Sequence, residues 1–311
     1  MIKIPYPEQK ILDDYFDSLK IEILSRIKII KINGKVKRNN KTYRATKQIK
    51  KILDYIDDEN NLKKIILLKP VDLTKLILFI EKKFLKARYS KEALHNIFYR
   101  IFIDYGYEKI DKLQFIKNIN LGSCPYCNRS YIYTVSKRGS VKPEIDHFYP
   151  KSLYPYLGAS YFNLIPSCPT CNGFGAKESK DTFYVYPMSN PYELQENDFK
   201  FSITPKSINF LDVEDTRYNF DNFEIELYGN KNHLDIFKLE ELYKQHKDVV
   251  LELLIKKAYY PKSYIEELEK FGFSEDEIYR YLFCNYKKAE DLHKRPLSKL
   301  TKDILEQLEI I

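Results

Sequence analysis

Residues 121–134 read LGSCPYCNRSYIYT, residues 144–151 read EIDHFYPK, and residues 163–172 read NLIPSCPTCN. Two Cys-x-x-Cys turns, Cys124/Cys127 and Cys168/Cys171, stand 40 residues apart, and an asparagine follows each directly, Asn128 and Asn172. One such turn offers two thiolates to a tetrahedral Zn²⁺, and two turns complete a closed four-sulfur shell with no open position. The spacing therefore predicts a structural zinc that staples distant stretches of chain. By comparison with small zinc domains it contributes about 10 kcal/mol or more. Five cysteines in 311 residues, four of them paired this way, suit metal binding in a reducing compartment better than a disulfide framework. The fifth, Cys284, reads as a small buried apolar residue.

The stretch inside the staple carries a different chemistry. Hydrolysing a phosphodiester takes a base to accept a proton from water, a cation to neutralise phosphate charge, and groups that hold the base in place. His147 is the one histidine beside a carboxylate in an apolar strand, and Asp146 offers a hard oxygen suited to Mg²⁺. Adjacent residues of a regular strand point to opposite faces, so the strand must twist or end at this dipeptide for the two to share a site. Pro150, which cannot continue a central ladder, is consistent with an ending.

Taken together, CPYCN, EIDHFYPKS and NLIPSCPTCN resemble the HNH, or ββα-metal, endonuclease family in its four-cysteine zinc form, over about sixty residues. The resemblance implies two strands and a helix around one catalytic metal. It assigns Asp146 as a metal ligand, His147 as the general base and Asn163 as the residue that braces the base. Asn172 takes the last metal-ligand position, as Asn in place of His. An amide oxygen there points to Mg²⁺ or Mn²⁺ at the catalytic position. Family members often carry a lysine soon after the last Asn; here GFGA precedes Lys177, which makes a phosphate role for Lys177 doubtful. Lys151 and Arg129 read as surface charges, with phosphate contact as the alternative. The tail stretches Lys238 to Tyr243 and His293 to Lys299 are similar to HNH proteins encoded beside ATPases in bacterial anti-phage operons of the Septu type. That similarity implies an ATPase partner protein and a role in antiviral defence.

Outside the module, the expected fold class is α+β, a mainly helical chain in three parts. These are a basic helical region over residues 1–118, the zinc-stapled module over 119–190, and short strands followed by helices over 191–311. Apolar spacing of three and four predicts helices over Glu8 to Ile27, Thr46 to Ile56, Leu73 to Ala87 and Ser90 to Ile103, and later over Lys238 to Tyr259, Ser263 to Phe271, Ser274 to Phe283 and Ser298 to Leu308. Asn33-Gly34, amid alternating lysines and apolar residues, predicts a basic β-hairpin. The formal charge is +8, yet residues 1–118 hold 27 basic against 15 acidic side chains, and residues 23–53 hold 11 basic side chains and no acid. Such a run suits a polyanion, with Tyr43 as a stacking platform for an unpaired base. The partner is thus expected to be nucleic acid, DNA favoured over RNA. Two alternatives remain open: a nuclease acting on structured RNA such as tRNA with the same residues, and a zinc-stabilised binding or scaffold module without turnover. No apolar run approaches the roughly 18 residues of a membrane span, and no signal peptide is legible, so a cytoplasmic location is expected. His95, His233, His246 and His293 lack second ligands at fixed spacing and read as structural.

Overall fold

The computed structural model describes residues 1–84, 88–135, 142–173, 175–208, 210 and 220–310. Among these residues, helices and three two-stranded antiparallel sheets give an α+β architecture that is mainly helical. Helix α1 (Gln9–Asn33) buries Tyr15, Phe16, Leu19, Ile23, Ile27 and Ile30, one stripe at three- and four-residue spacing. It runs six residues beyond its expected end because Ile27 and Ile30 continue that stripe. Gly34 closes it in the left-handed region (φ 61°), its N–H bonded to the Ile30 carbonyl.

Asn33-Gly34 is therefore a helix end, not the hairpin turn. The hairpin exists one step later, as β1 (Lys35–Arg38) and β2 (Lys41–Arg44), and turns at Asn39-Asn40, both at positive φ (50° and 59°). Asparagine tolerates that conformation, and a two-residue turn of this hand matches strand twist. Val36 and Tyr43 lie opposite each other and are buried. Tyr43 is only 7% exposed and its hydroxyl donates to the Glu92 carboxylate at 3.3 Å, so it is not the base-stacking platform expected.

The remaining N-terminal helices are α2 (Lys47–Ile56), α3 (Glu59–Ile66), α4 (Pro70–Phe84), α5 (Arg88–Phe98) and α6 (Lys112–Ile119). The expected end of α4 at 85–87 lies outside the described residues. Thr46, Asp58 and Asp111 cap α2, α3 and α6 by accepting the N–H three residues on. The α5 helix widens into a π turn over Tyr99–Asp104.

In the central module, β3 (Glu144–His147) pairs with β4 (Leu164–Ser167), Asp146 facing Ile165 and His147 facing Leu164. The helix that follows, α7 (Pro169–Asn172), is a single turn. Strands β5 (Lys200–Pro205) and β6 (Phe223–Tyr228) form the third sheet. Six helices follow: α8 (Lys231–Phe237), α9 (Leu239–Tyr243), α10 (Lys247–Tyr259), α11 (Lys262–Lys270), α12 (Glu275–Phe283) and α13 (Ser298–Gln307). The single helix expected from Lys238 to Tyr259 is instead two, separated by a 3₁₀ turn at Lys244–His246, with Lys238 itself at φ 52°. The edge of β5 is covered by side chains of α13: Asp303 accepts the Phe201 N–H, while Gln307 bonds both the N–H and the carbonyl of Ile203. That leaves less unpaired backbone for edge-to-edge association. Cys284, expected to be buried, is exposed at the C-terminal end of α12 with φ 53°.

One hydrophobic cluster runs through all of these elements, from Met1 to Leu308. Among the described residues, no helix is long and apolar enough to cross a membrane.

Candidate functional site

The four cysteines converge. Cys124, Cys127, Cys168 and Cys171 are buried, their sulfurs all lie within 4.8 Å of one another, and Cys127 and Cys168 are 3.9 Å apart. Sulfurs around a tetrahedral Zn²⁺ at about 2.3 Å stand roughly 3.8 Å apart, so the donor set and spacing fit a metal such as zinc. Backbone N–H groups aim at the sulfurs, Cys168 toward Cys124 and Arg129 toward Cys127, both at 3.4 Å. The thiols also divide in acidity. Hydrogen bonding from Cys124 pulls Cys127 and Cys168 below the usual thiol range, Cys168 to about 7. Burial pushes Cys124 up, and the neighbouring Cys124 thiol pushes Cys171 up. Four thiols this close cannot all ionise alone; a dication makes four thiolates favourable.

A clasp from the far end of the chain holds the first knuckle. Asn128 is fully buried at φ 50°. Its amide donates to Ser123 Oγ and to the carbonyls of Leu292 and Arg295, and its oxygen accepts from Ser298 Oγ and the Lys299 N–H. The Gly122 N–H bonds the His293 carbonyl, and any Cβ at Gly122 would collide with the Lys294 carbonyl. The tail stretch His293 to Lys299 is thus built into the module. Asn128→Ala strands several buried partners at about 1 kcal/mol each and puts alanine in a strained conformation. We expect a loss of about 3–5 kcal/mol, read as a lower denaturation midpoint; a loss below about 1 kcal/mol would remove the clasp.

The dipeptide at the end of β3 faces two ways. His147, 6% exposed, donates from Nε2 to the Gly158 carbonyl at 3.0 Å and meets the Tyr107 ring edge-on at 4.5 Å. Asn163, fully buried, braces the loop that supplies that carbonyl: its amide donates to Tyr149 O and Leu157 O, and its oxygen accepts the Tyr149 N–H. Gly158 is held from behind by Ile103 of the π turn, where a Cβ would strike Ile103 Cδ1. The Tyr15 hydroxyl of α1 fixes the next carbonyl, Ala159, at 2.8 Å. Burial first, then the charge of Lys151, pushes His147 down to about 3, far below the ordinary imidazole range expected for it. The ring is neutral at pH 7, with its Nδ1 lone pair uncommitted to the Gly158 bond.

Asp146, 3% exposed, sits on the other face of β3. It accepts from the Tyr126 hydroxyl at 2.6 Å and pairs with Lys177 at 2.8 Å. Lys177 is completely buried and also donates to the His147 carbonyl at 2.7 Å, so its role is internal. Asn172 is half-buried, and its amide donates to the exposed Glu144 carboxylate at 2.7 Å. Glu144 lies two residues before Asp146, on the same face of the strand. Asp146, Glu144 and Asn172 thus belong to one side of β3 and His147 to the other, so the twist or ending expected at this dipeptide is not seen: the ladder stays paired through His147.

Tyr126, Glu144, Tyr107 and Gly158 were missed in the sequence, and Lys177 was named there without its partner Asp146. Glu144 alone had a local signal, its alternation with Asp146. The other histidines hold structure: His95 bonds the Ser152 carbonyl, His233 the Tyr126 carbonyl, and His246 accepts from Arg129. Arg129 is thereby tied to His246 instead of standing free.

The comparisons with known proteins are narrow. One relative, the Septu protein PtuB of Bacillus thuringiensis, is 45% identical over 49 residues, 15% of this chain and 18% of that protein. The matched stretch therefore spans under a fifth of the relative's length. No family model matches the chain. No solved structure matches it.

Proposed function

We propose that the chain is a metal-dependent HNH endonuclease that hydrolyses phosphodiester bonds in nucleic acid, DNA favoured, and acts in antiviral defence as the Septu likeness suggests. The observation that carries the reading is the bracket around His147. A carbonyl fixes Nε2–H, Asn163 fixes the loop bearing that carbonyl, and Nδ1 is left as a proton acceptor of defined direction. His233 is also a buried ring with Nε2 on a backbone carbonyl; what sets His147 apart is its place beside Asp146 between the two Cys-x-x-Cys turns, with Lys151 and Lys112 over the adjoining Tyr107 ring. The four cysteines hold a structural zinc in this reading, and the one-turn α7 between Cys168 and Asn172 explains why: displacing the knuckle moves Asn172.

The donor set on the other face of β3 suits a hard cation such as Mg²⁺ or Mn²⁺. Asn172 and Asp146 are the ligands the resemblance assigns. Lys177 already balances the Asp146 charge, so a dication there needs a second carboxylate, which Glu144 supplies. When bound, the cation would stabilise charge on the phosphate and the leaving oxygen, which requires the end of β3 to twist so that this face and His147 meet at one phosphate. His147 takes the proton from the attacking water, while Lys177 and Tyr126 hold the Asp146 carboxylate in place. An ATPase partner protein is part of this proposal, carried by the same likeness.

Supercoiled plasmid, single-stranded DNA and total RNA, each incubated with the zinc-loaded protein and Mg²⁺ or Mn²⁺, test it. Nicked plasmid is expected. Cleavage of RNA alone would move the substrate to RNA, and no cleavage of any polymer would leave a zinc-stabilised binding module.

A further inference from the structure

The inner face of the basic hairpin, at Arg38, is linked to the His147 face by a series of contacts and chain neighbours. Lys35, Lys37, Lys41 and Arg44 are exposed on the hairpin. Arg38, on its inner face, lies 3.5 Å over the Tyr99 ring and donates to Asn96 at 2.8 Å. His95, whose ring is 6.1 Å from Tyr99, bonds the Ser152 carbonyl. Next to Ser152, Lys151 stands 5.1 Å over the Tyr107 ring, and Lys112 stands 4.4 Å from the same ring, whose edge meets His147. Acids along this line are few: Glu92, beside Lys41 and Tyr43, and Glu108, paired with Lys112. Among the described residues Lys151 makes no ion pair, and it and Lys112 both stand over one aromatic ring beside a buried imidazole. Cations gathered this way repel one another unless an anion joins them.

We propose that these residues form one phosphate-binding track, along which a nucleic-acid strand runs from Lys35 and Lys37, past Arg38, to Lys151 and Lys112 beside His147. The end point of the track rests on the hydrolysis reading; the binding does not. The contacts are with backbone phosphates, so the track reads charge and spacing and not base sequence.

Binding of fluorescein-labelled single strands of about 4 and about 16 nucleotides, the range of site sizes on compact single-strand binders, tests it by anisotropy on the full zinc-loaded chain without added Mg²⁺. Lys35→Glu with Lys37→Glu, both exposed positions, is expected to weaken the long strand about tenfold. It should also lower the salt slope by about 1.4, the value for two phosphate contacts on a single strand. The short strand, seated at Lys151 and Lys112, should be unaffected, whereas Lys151→Ala should weaken both. An unchanged long strand, equal weakening of both lengths by the hairpin pair, or indifference of the long strand to Lys151→Ala would each overturn the track. If no polymer is cleaved but the length dependence holds, the hydrolysis reading fails and the track stands; cleavage without the length dependence gives the reverse.

Discussion

A His147→Ala protein is expected to retain its zinc and its fold while losing cleavage by about 10²–10⁴-fold, the span a positioned general base contributes. The ring is nearly enclosed, so its removal opens a cavity between Tyr107 and the Gly158 carbonyl and costs some stability. His147→Gln keeps most of that volume and can still donate to Gly158, so it separates lost chemistry from lost packing. It should fold as the parent does and remain as inactive as the alanine variant. Asn163→Ala offers an independent reading. It leaves the imidazole in place and frees the loop that orients it, so kcat should fall while zinc content holds. Quantified nicking of plasmid under Mg²⁺, beside metal content and a denaturation curve, checks all three. Cleavage at the parent rate by folded His147→Gln would withdraw His147 as the base.

What could be read from the chain depended on how local the signal was. Both Cys-x-x-Cys turns announce their convergence by type and spacing, because two such turns have few other uses. The hairpin was legible as a basic element but not in its turn, since Asn33-Gly34 and Asn39-Asn40 carry the same local preference. Only the burial of Ile27 and Ile30 extends α1 far enough to decide between them. Tyr43 reads as a platform until its neighbour on the other strand, Val36, is known to face the core. The environment of His147 was the least legible part. Its near-complete burial comes from Tyr107, Gly158 and the π turn, none of which is near it in sequence. Burial therefore holds its acidity well away from that of an ordinary imidazole. For Lys177 the intervening GFGA argued against a phosphate role, which fits its burial, but its inward partner Asp146 lies 31 residues away and was not legible.

Removing the metal from the cysteine cluster is expected to do the greatest damage to the fold. Cys168 precedes α7 and Cys171 lies within it, Cys124 and Cys127 open the segment clasped by Asn128, and within the cluster the two knuckles are otherwise joined by the weak Cys168 N–H contact to Cys124 Sγ. Without a dication the thiols divide into raised and lowered members, so at pH 7 some are protonated and the packed sulfurs lose the charge balance that holds them. Cys168→Ser replaces one soft ligand by a poor one and should destabilise the chain by several kcal/mol, up to the roughly 10 kcal/mol that a structural zinc supplies. Prolonged chelation should reproduce that loss, and added Zn²⁺ should reverse it in the parent and not in the serine variant. Because Asn172 directly follows Cys171, cleavage should disappear at chelator concentrations that leave most helical signal intact, before global unfolding. Equal midpoints for parent and Cys168→Ser in chemical denaturation, with zinc bound at one equivalent in both, would show that the four sulfurs are not the staple.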